Sequence, residues 1–402
     1  MYSAQRNAPA TAAGIRLAAR RLTVAAPVLV VALVLAMLIG SRLGDYHGNP
    51  AGFILFGQRF ARYTHPPAGA PVLSPQGYDG QFYWIEAGDP LLLRRSTVAD
   101  MVGPAGYHFQ RPAYPALAYL LALGRRAALP WAMLAVNVLA VLGLTAAFAV
   151  FCRRRGWSVW WALAVGALPG LLMPTLRDLT DPLATATMLG ALLAWRSERR
   201  WAAALLLSIS VLSRETGAVA VAAILLEALV RCARARRDRR AVLALVRLAW
   251  PPVVVPTAAY AAWQAYVRLT VPHIPGSVSV AATAAPAGSP LAFLSKLAPM
   301  LHGFGSAVSS WDLVYAALML AAMALSVWLA RRGLAAGVSA LGLAAVLLLV
   351  PFDDQWVLAR YTAPLFGALL ISGLEQRSRT ARSLAAAAGA MSLFLPWVIT
   401  GI

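Results

Sequence analysis

Residues 77–83 read GYDGQFY and place one carboxylate, Asp79, between two glycines and among aromatic side chains. A carboxylate within hydrogen-bond reach can take a proton from a hydroxyl group, and this activates the hydroxyl as a nucleophile. Aromatic rings beside such a group suit a sugar or another polar head group. The same residues also suit a simple turn, because Asp followed by Gly supplies turn geometry. The segment therefore predicts either a general base or a tight turn.

Four further segments combine arginine with an acid or an aromatic residue. Arginine matches the geometry of a phosphate through paired hydrogen bonds, and it is costly at membrane depth, by about 2.5 kcal/mol or more, unless it is paired or hydrated. Each arginine also has a plainer interpretation as a local ion pair, a lipid-surface anchor or a residue snorkelling at a helix end. The segments are 108–115 (HFQRPAYP), 177–182 (RDLTDP), 213–216 (SRET) and 353–361 (DDQWVLARY).

Composition indicates a membrane protein with several spans. The chain has 402 residues, of which 60% are hydrophobic and 12% charged, and its mean hydropathy is +0.68, whereas a soluble domain carries roughly 25% charged residues. The net charge of +20 does not indicate a nucleic-acid partner, because the arginines cluster in short loops between apolar runs. Two cysteines and five dispersed histidines predict no disulfide framework and no metal cluster.

The placement of arginine predicts the topology. Apolar runs fall near 22–40, 113–123, 131–151, 157–174, 179–195, 201–213, 216–230, 248–269, 311–330, 333–351, 359–374 and 384–400. Arginine clusters favour the cytoplasmic side, and this requires run 113–123 to lie flat at the interface rather than to cross. The same rule makes runs 201–213 and 216–230 a hairpin with its apex at 213–216, and the first arm of about 20 Å is shorter than the apolar core.

We therefore expect an all-α, polytopic membrane protein with about eleven transmembrane helices. Residues 1–402 would form a single integral membrane domain with a cytoplasmic N-terminus, and the first apolar run would be an uncleaved anchor. A long first extracytoplasmic loop, 41–130, would carry interfacial helices, and 270–310 would form a second large extracytoplasmic loop. Asp45 is either a second acid of the site or a helix-end residue, and Glu86 and Asp89 are expected to be solvated.

The order and spacing of the motifs resemble the membrane glycosyltransferases of the GT-C superfamily. The likeness is carried by residues 78–81, 111–115, 177–182 and 213–215, and it runs from about residue 20 to 235. It is greatest to bacterial members, largely uncharacterised, that share a YDGQFYY-like loop. Many family members have two adjacent acids in the first loop, whereas Asp79 stands alone here.

This resemblance implies an inverting glycosyltransferase that moves a sugar from a polyprenyl-phosphate donor to a lipid-linked or cell-envelope acceptor. The partners would be that donor, membrane lipid and a glycan, lipid or protein acceptor, at the extracytoplasmic face of a bacterial inner membrane. No cofactor would be required, although a divalent metal ion stays open. Asp79 would be the catalytic base, and the expected substrate-binding residues are Asp45, Tyr78, Gln81, Tyr83, Arg111, Tyr114, Arg177, Asp178, Asp181, Arg214, Glu215 and Arg360.

Two other classes of function remain as alternatives. A transporter or flippase of a lipid-linked or anionic substrate would also place arginines and acids in a membrane cavity. Transporters often contain two halves of similar pattern, and no internal repeat is visible here. A non-catalytic envelope assembly protein is the third class.

Overall fold

A computed structural model describes residues 8–100, 108–271, 307–331, 334–349 and 355–391. The chain is mostly helical, as expected for an all-α fold. Its first half contains α1 (Ala8–Asp45), α2 (Ala61–Thr64), α3 (Gly80–Gly88), α4 (Arg95–Asp100), α5 (Ala113–Leu121), α6 (Leu129–Arg154), α7 (Trp161–Gly166), α8 (Pro169–Thr175) and α9 (Asp181–Arg196). Its second half contains α10 (Arg200–Ser213), α11 (Gly217–Arg234), α12 (Arg239–Thr270), α13 (Ala307–Ala330), α14 (Ala335–Leu349), α15 (Gln355–Glu375) and α16 (Arg379–Ala390).

Within the described residues, three helical segments are long and apolar enough to cross a membrane: Thr23–Asp45, Arg126–Arg154 and Arg239–Thr270. Shorter apolar helices cover Arg200–Ser213, Ala317–Ala330 and Ala335–Val346. These segments indicate a membrane protein. The number of about eleven spans, their orientation and the division into loops stay predictions.

The apolar run 157–174 is not one continuous helix, contrary to its treatment as a single span. Helix α7 ends at Gly166, and α8 begins only at Pro169. Proline has no backbone N–H and favours the first turn of a helix, so it starts a new helix here rather than continuing the old one. The helix containing run 248–269 begins earlier than the hydrophobic pattern, at Arg239, because Asp238 caps it by accepting hydrogen bonds from the backbone of residues 240 and 241.

The three runs that decided the predicted topology form three separate helices, α5, α10 and α11. Helix α5 has nine residues, so it is about 13 Å long and cannot cross an apolar core of about 30 Å alone. Helices α10 and α11 form a hairpin whose turn spans 214–216, with 14 residues in the first arm. Both features agree with the predicted layout, while their depth in a membrane stays a prediction.

The segment between α1 and α6 contributes most of a second apolar core, which also includes residues of α6, α9 and α12. Its centre consists of buried aromatic residues, which include Phe56, Trp84 and Phe109. A short parallel pair of strands, β1 (Phe56–Gly57) and β2 (Val72–Ser74), lies beside α3. The expected second loop, 270–310, falls almost wholly outside the described residues.

An ion cluster ties four helices together at the end of α9 that lies away from Asp181. Glu227 of α11 is 1% exposed and accepts hydrogen bonds from Trp195 (3.1 Å), from Arg196 (3.2 Å) and from the backbone of residue 335 (2.6 Å). Arg231 also pairs with Glu227, and Arg196 pairs in addition with Glu375 of α15. This cluster fixes the relative positions of α9, α11, α14 and α15.

Candidate functional site

Asp79 lies at the N-terminal end of α3, and the side chains of His108 and Arg360 approach it. His108 Nε2 is 3.6 Å from one carboxylate oxygen, and a guanidinium nitrogen of Arg360 is 3.6 Å from the other. The carboxylate side chain is 29% exposed, whereas His108 is 1% exposed. Burial raises the pKa of Asp79, but the interaction with His108 and the charges of Arg360 and Arg111 outweigh burial and hold the pKa well below its usual range. Asp79 is therefore an ionised and reachable carboxylate.

The backbone around Asp79 requires glycine on both sides. Gly77 has φ +70°, a left-handed conformation that favours glycine. A Cβ atom on Gly80 would lie 2.7 Å from the carbonyl oxygens of Arg177 and Ile54. The start of α3 is therefore pressed directly against the loop that carries the RDLTDP motif, and this close approach brings Asp79 to the other charged residues.

Arg360, in the DDQWVLARY segment, contacts both the GYDGQFY segment and the RDLTDP segment. Its guanidinium donates to Asp181 Oδ2 at 3.1 and 3.3 Å and to the Tyr78 hydroxyl at 2.8 Å. Arg214 also pairs with Asp181, which is 2% exposed. Asp181 is therefore held between the guanidinium groups of Arg214 and Arg360, and it fixes the positions of both.

The two charges at the hairpin apex do not pair with each other. Arg214 turns to Asp181 and packs over the Tyr361 ring at 4.3 Å. Glu215 instead receives a two-pronged pair from Arg111, with both hydrogen bonds at 3.1 Å, and Arg111 also donates to the Tyr83 hydroxyl at 3.2 Å. The apex therefore connects α9 on one side with the start of α5 on the other, and a purely local Arg214–Glu215 pair is excluded.

Behind this network lies a buried, hydrogen-bonded triad of Tyr114, Asn137 and Asp178. The Tyr114 hydroxyl is 3.4 Å from Asp178 Oδ1, and Asn137 donates to Tyr114 at 3.3 Å and to the backbone of residue 179 at 2.9 Å. Burial raises the pKa of Asp178 well above its usual range, although Tyr114 opposes this shift. Asp178 also has φ +48°, a strained backbone that the packing holds in place. The triad fixes the loop between α8 and α9.

The structure therefore brings together most of the predicted residues, from five separate segments of the chain. Arg177 belongs to the group through the Tyr78 ring, over which its guanidinium lies at 4.9 Å. Tyr83, Tyr114 and Asp178 are fully or almost fully buried, so they support the exposed groups rather than line an opening. The residues of the connected network are Tyr78, Asp79, Tyr83, His108, Arg111, Tyr114, Arg177, Asp178, Asp181, Arg214, Glu215 and Arg360. Asp353 and Asp354 lie outside the described residues.

Two predicted residues lie elsewhere or are engaged otherwise. Asp45 is exposed and pairs with Arg42 one turn earlier at 3.3 Å, which agrees with the helix-end interpretation. Gln81 is buried, and its amide accepts from the backbone of residue 57 and donates to the carbonyl of residue 76. Its side chain ties the GYDGQFY loop to the strand pair.

The expectation that Glu86 and Asp89 are solvated is wrong. Glu86 is 2% exposed, and burial raises its pKa well above the usual range while the charge of Arg111 opposes the rise. Asp89 is 7% exposed and accepts from the backbone N–H groups of residues 93 and 94. Helix α3 is buried on nearly every face, and this removes both acids from water.

Three neighbours of the site were not singled out from the sequence. His108 touches Asp79, Asn137 supports Tyr114, and Tyr361 packs under Arg214. His108 and Tyr361 lie in the arginine-containing segments 108–115 and 353–361, so their proximity in sequence to Arg111 and Arg360 was a weak indication of a role in the site. Asn137 sits in the apolar helix α6, where a lone amide is unusual enough to mark it.

No group of three potential metal-ligating side chains occurs among the described residues. No protein-family model, curated protein or solved structure matches the chain. Function therefore has to be inferred from the site itself.

Proposed function

We propose that the protein is an inverting membrane glycosyltransferase that uses a polyprenyl-phosphate sugar donor. The observation that carries the proposal is the partly exposed carboxylate of Asp79 next to Arg360, inside a network that also holds Arg111 and Arg214. Such an arrangement offers a base for a hydroxyl group and fixed positive charge for a phosphate leaving group. Both are needed for a single-displacement transfer.

In this reaction the acceptor hydroxyl would approach the exposed side of Asp79. Asp79 takes the hydroxyl proton as the oxygen bonds to the anomeric carbon of the sugar. The bond from that carbon to the phosphate oxygen breaks, and the phosphate keeps the electron pair. Fixed guanidinium groups stabilise the charge that develops on the leaving phosphate, because they need not reorganise during the reaction.

The charges of the network support an anionic ligand. Three arginines pair with Asp79, Asp181 and Glu215, and Arg177 adds a further guanidinium beside Tyr78. The network therefore gathers four guanidinium groups in one place, and fixed positive charge of this kind would attract a phosphate-bearing donor.

A further arrangement supports an extracytoplasmic reaction. The charged network lies at the end of α9 that holds Asp181, while the arginine-rich ends of α6 and α11 belong to the opposite side in the predicted topology. A lipid-linked donor is reachable from that face, whereas nucleotide sugars are cytoplasmic substrates.

The direct test is sugar transfer by the purified full-length protein in detergent or liposomes. A radiolabelled sugar on polyprenyl phosphate should pass to an acceptor lipid or glycan, while the same sugar on a nucleotide should not. If the protein only moves the intact labelled lipid across a liposome membrane, the transporter class is correct and the proposed chemistry is wrong.

A further inference from the structure

A second charged pocket lies at the far end of α3 from Asp79. Its polar lining consists of Tyr63, His65, Arg94, Ser96, Thr97 and Arg126, and its cavity volume is about 110 Å³. The last residue of α3, Gly88, also lines it. Because α3 has nine residues, the pocket lies about 13 Å from Asp79 along the helix. It is therefore separate from the network of Arg111, Arg214 and Arg360.

The pocket is basic and contains no acidic side chain in its lining. Arg126 is held over the Trp84 ring at 5.4 Å, and Trp84 is itself anchored by a hydrogen bond to the carbonyl of residue 64. Among the residues whose side chains the structure describes, which leaves out 98–107, neither Arg94 nor Arg126 forms an ion pair with a carboxylate. Asp89, the nearest acid in sequence to Arg94, uses its carboxylate to accept from the backbone N–H groups of residues 93 and 94. Two guanidiniums, two hydroxyl groups and a phenol therefore converge with no carboxylate in the described lining to neutralise them.

The surroundings of the pocket are apolar and exposed. Leu93, next to Arg94, is 75% exposed, and Leu123, three residues before Arg126, is 80% exposed. Leu91 and Leu120 are exposed in the same two segments. Arg126 is also the first residue of a segment long and apolar enough to cross a membrane, and this places it at the level of lipid head groups. Arginines at this level with leucines beside them match a phosphate joined to acyl chains.

We propose that this basic pocket binds the phosphate of an anionic membrane lipid, with the flanking leucines against its acyl chains. A phosphate monoester suits the pocket best, because two guanidiniums can each form paired hydrogen bonds to its oxygens. Ser96 and Thr97 supply hydroxyl donors from the start of α4, and Tyr63 supplies another. The ligand here is bound and is not consumed, so the inference does not depend on sugar transfer.

The test compares two double variants that remove equal charge. Arg94→Gln/Arg126→Gln empties the pocket of its guanidiniums, while Arg95→Gln/Arg125→Gln removes the adjacent exposed arginines that do not line it. Binding of dihexanoyl phosphatidic acid to the delipidated full-length protein is measured by titration calorimetry without any sugar donor. We expect the first variant to bind at least about tenfold more weakly and the second to change by less than about twofold.

Equal weakening in both double variants would show that only the general surface charge attracts the lipid, and no weakening in either would remove the pocket as a lipid site. Inorganic phosphate separates the two sources of the anion. We expect about 10 mM phosphate to displace less than half of the lipid, since it lacks acyl chains. Displacement by phosphate at the concentration of the lipid itself would overturn the lipid assignment in favour of a free-phosphate site.

Discussion

Asp79 and Asp181 both contact Arg360, yet they differ in access to solvent. Asp181 is 2% exposed and is held by two arginines, whereas the side chain of Asp79 is 29% exposed. An acid enclosed by two guanidiniums cannot take up a proton easily, because that would leave buried positive charge unpaired. The exposed acid is the one that an acceptor hydroxyl can approach.

His108 is one of the groups that lower the pKa of Asp79, and this gives a prediction about pH. In the wild type the pKa of Asp79 lies well below its usual range, so the carboxylate is ionised across pH 5–8. Replacing His108 with Asn removes the second-largest influence on this pKa, and burial then raises it. We expect the acidic limb of a profile of kcat/KM against pH to move to higher pH in His108→Asn.

The matched control is His47→Asn, since His47 is exposed and lies just after α1. That variant should keep the wild-type profile. If both variants keep it, His108 does not act on the base and its contact with Asp79 is only packing.

Asp79 directly precedes helix α3, so the position of its carboxylate depends on how closely that helix packs against the RDLTDP loop. Gly80 leaves no room for a methyl group, since a Cβ there would lie 2.7 Å from two carbonyl oxygens, whereas Gly88 on the same helix has nothing within 4 Å. Gly80→Ala should cost about 1–3 kcal/mol of stability and reduce transfer, because the helix has to move away from the loop. Gly88→Ala should be neutral or stabilise by up to about 1 kcal/mol. Melting temperature and transfer rate of both variants check this, and equal behaviour would contradict the close packing.

The Glu227 cluster makes a second element-scale prediction. Glu227→Gln removes a buried carboxylate that pairs with two arginines. Arg196 keeps its pair with Glu375 and Arg231 is partly exposed, so the expected cost is about 1–3 kcal/mol. The cluster lies at the far end of α9, a helix of 16 residues, or about 24 Å. Thermal unfolding should therefore shift to lower temperature while transfer per folded molecule is unchanged.

Glu198→Gln is the matched control, because Glu198 is exposed at the same end of α9, and it should leave the melting temperature unchanged. A loss of transfer by folded Glu227→Gln would show that the cluster communicates with the site.

The sequence predicted which segments form the site better than it predicted which side chains pair with each other. Short motifs with arginine and acid were expected around one cavity, and five segments do converge, because each contributes a charge that needs a partner. Which partner each takes depends on helix orientation, so the Arg214–Asp181 and Arg111–Glu215 pairs could not be predicted. The burial of Glu86 was not predicted because α3 has no polar face that would mark its solvent side. The helix break before Pro169 was not predicted because hydropathy alone does not indicate where a helix ends.

At the scale of the whole molecule, the orientation of α6 decides which side the site faces. Both native cysteines are first replaced by serine, and then Arg125→Cys and Arg154→Cys are made separately at the two ends of that helix. Arginine-rich loops favour the cytoplasm, so the Arg125→Cys protein should react with an impermeant maleimide on intact cells. The Arg154→Cys protein should react only after permeabilisation. The reverse labelling pattern would mean that the predicted orientation of α6 is wrong and that the site faces the cytoplasm.

The most direct test of the proposed chemistry is the transfer rate of Asp79→Asn compared with Asp45→Asn. Both substitutions remove one carboxylate and keep its shape, but Asp45 pairs only locally with Arg42 in the contacts that the structure shows for it. With a labelled polyprenyl-phosphate sugar as donor, Asp79→Asn should lower kcat by about 100-fold or more, since it removes the base. Asp45→Asn should stay within about twofold of the wild type. Near-normal turnover by a folded Asp79→Asn protein would contradict the assignment of Asp79 as the base.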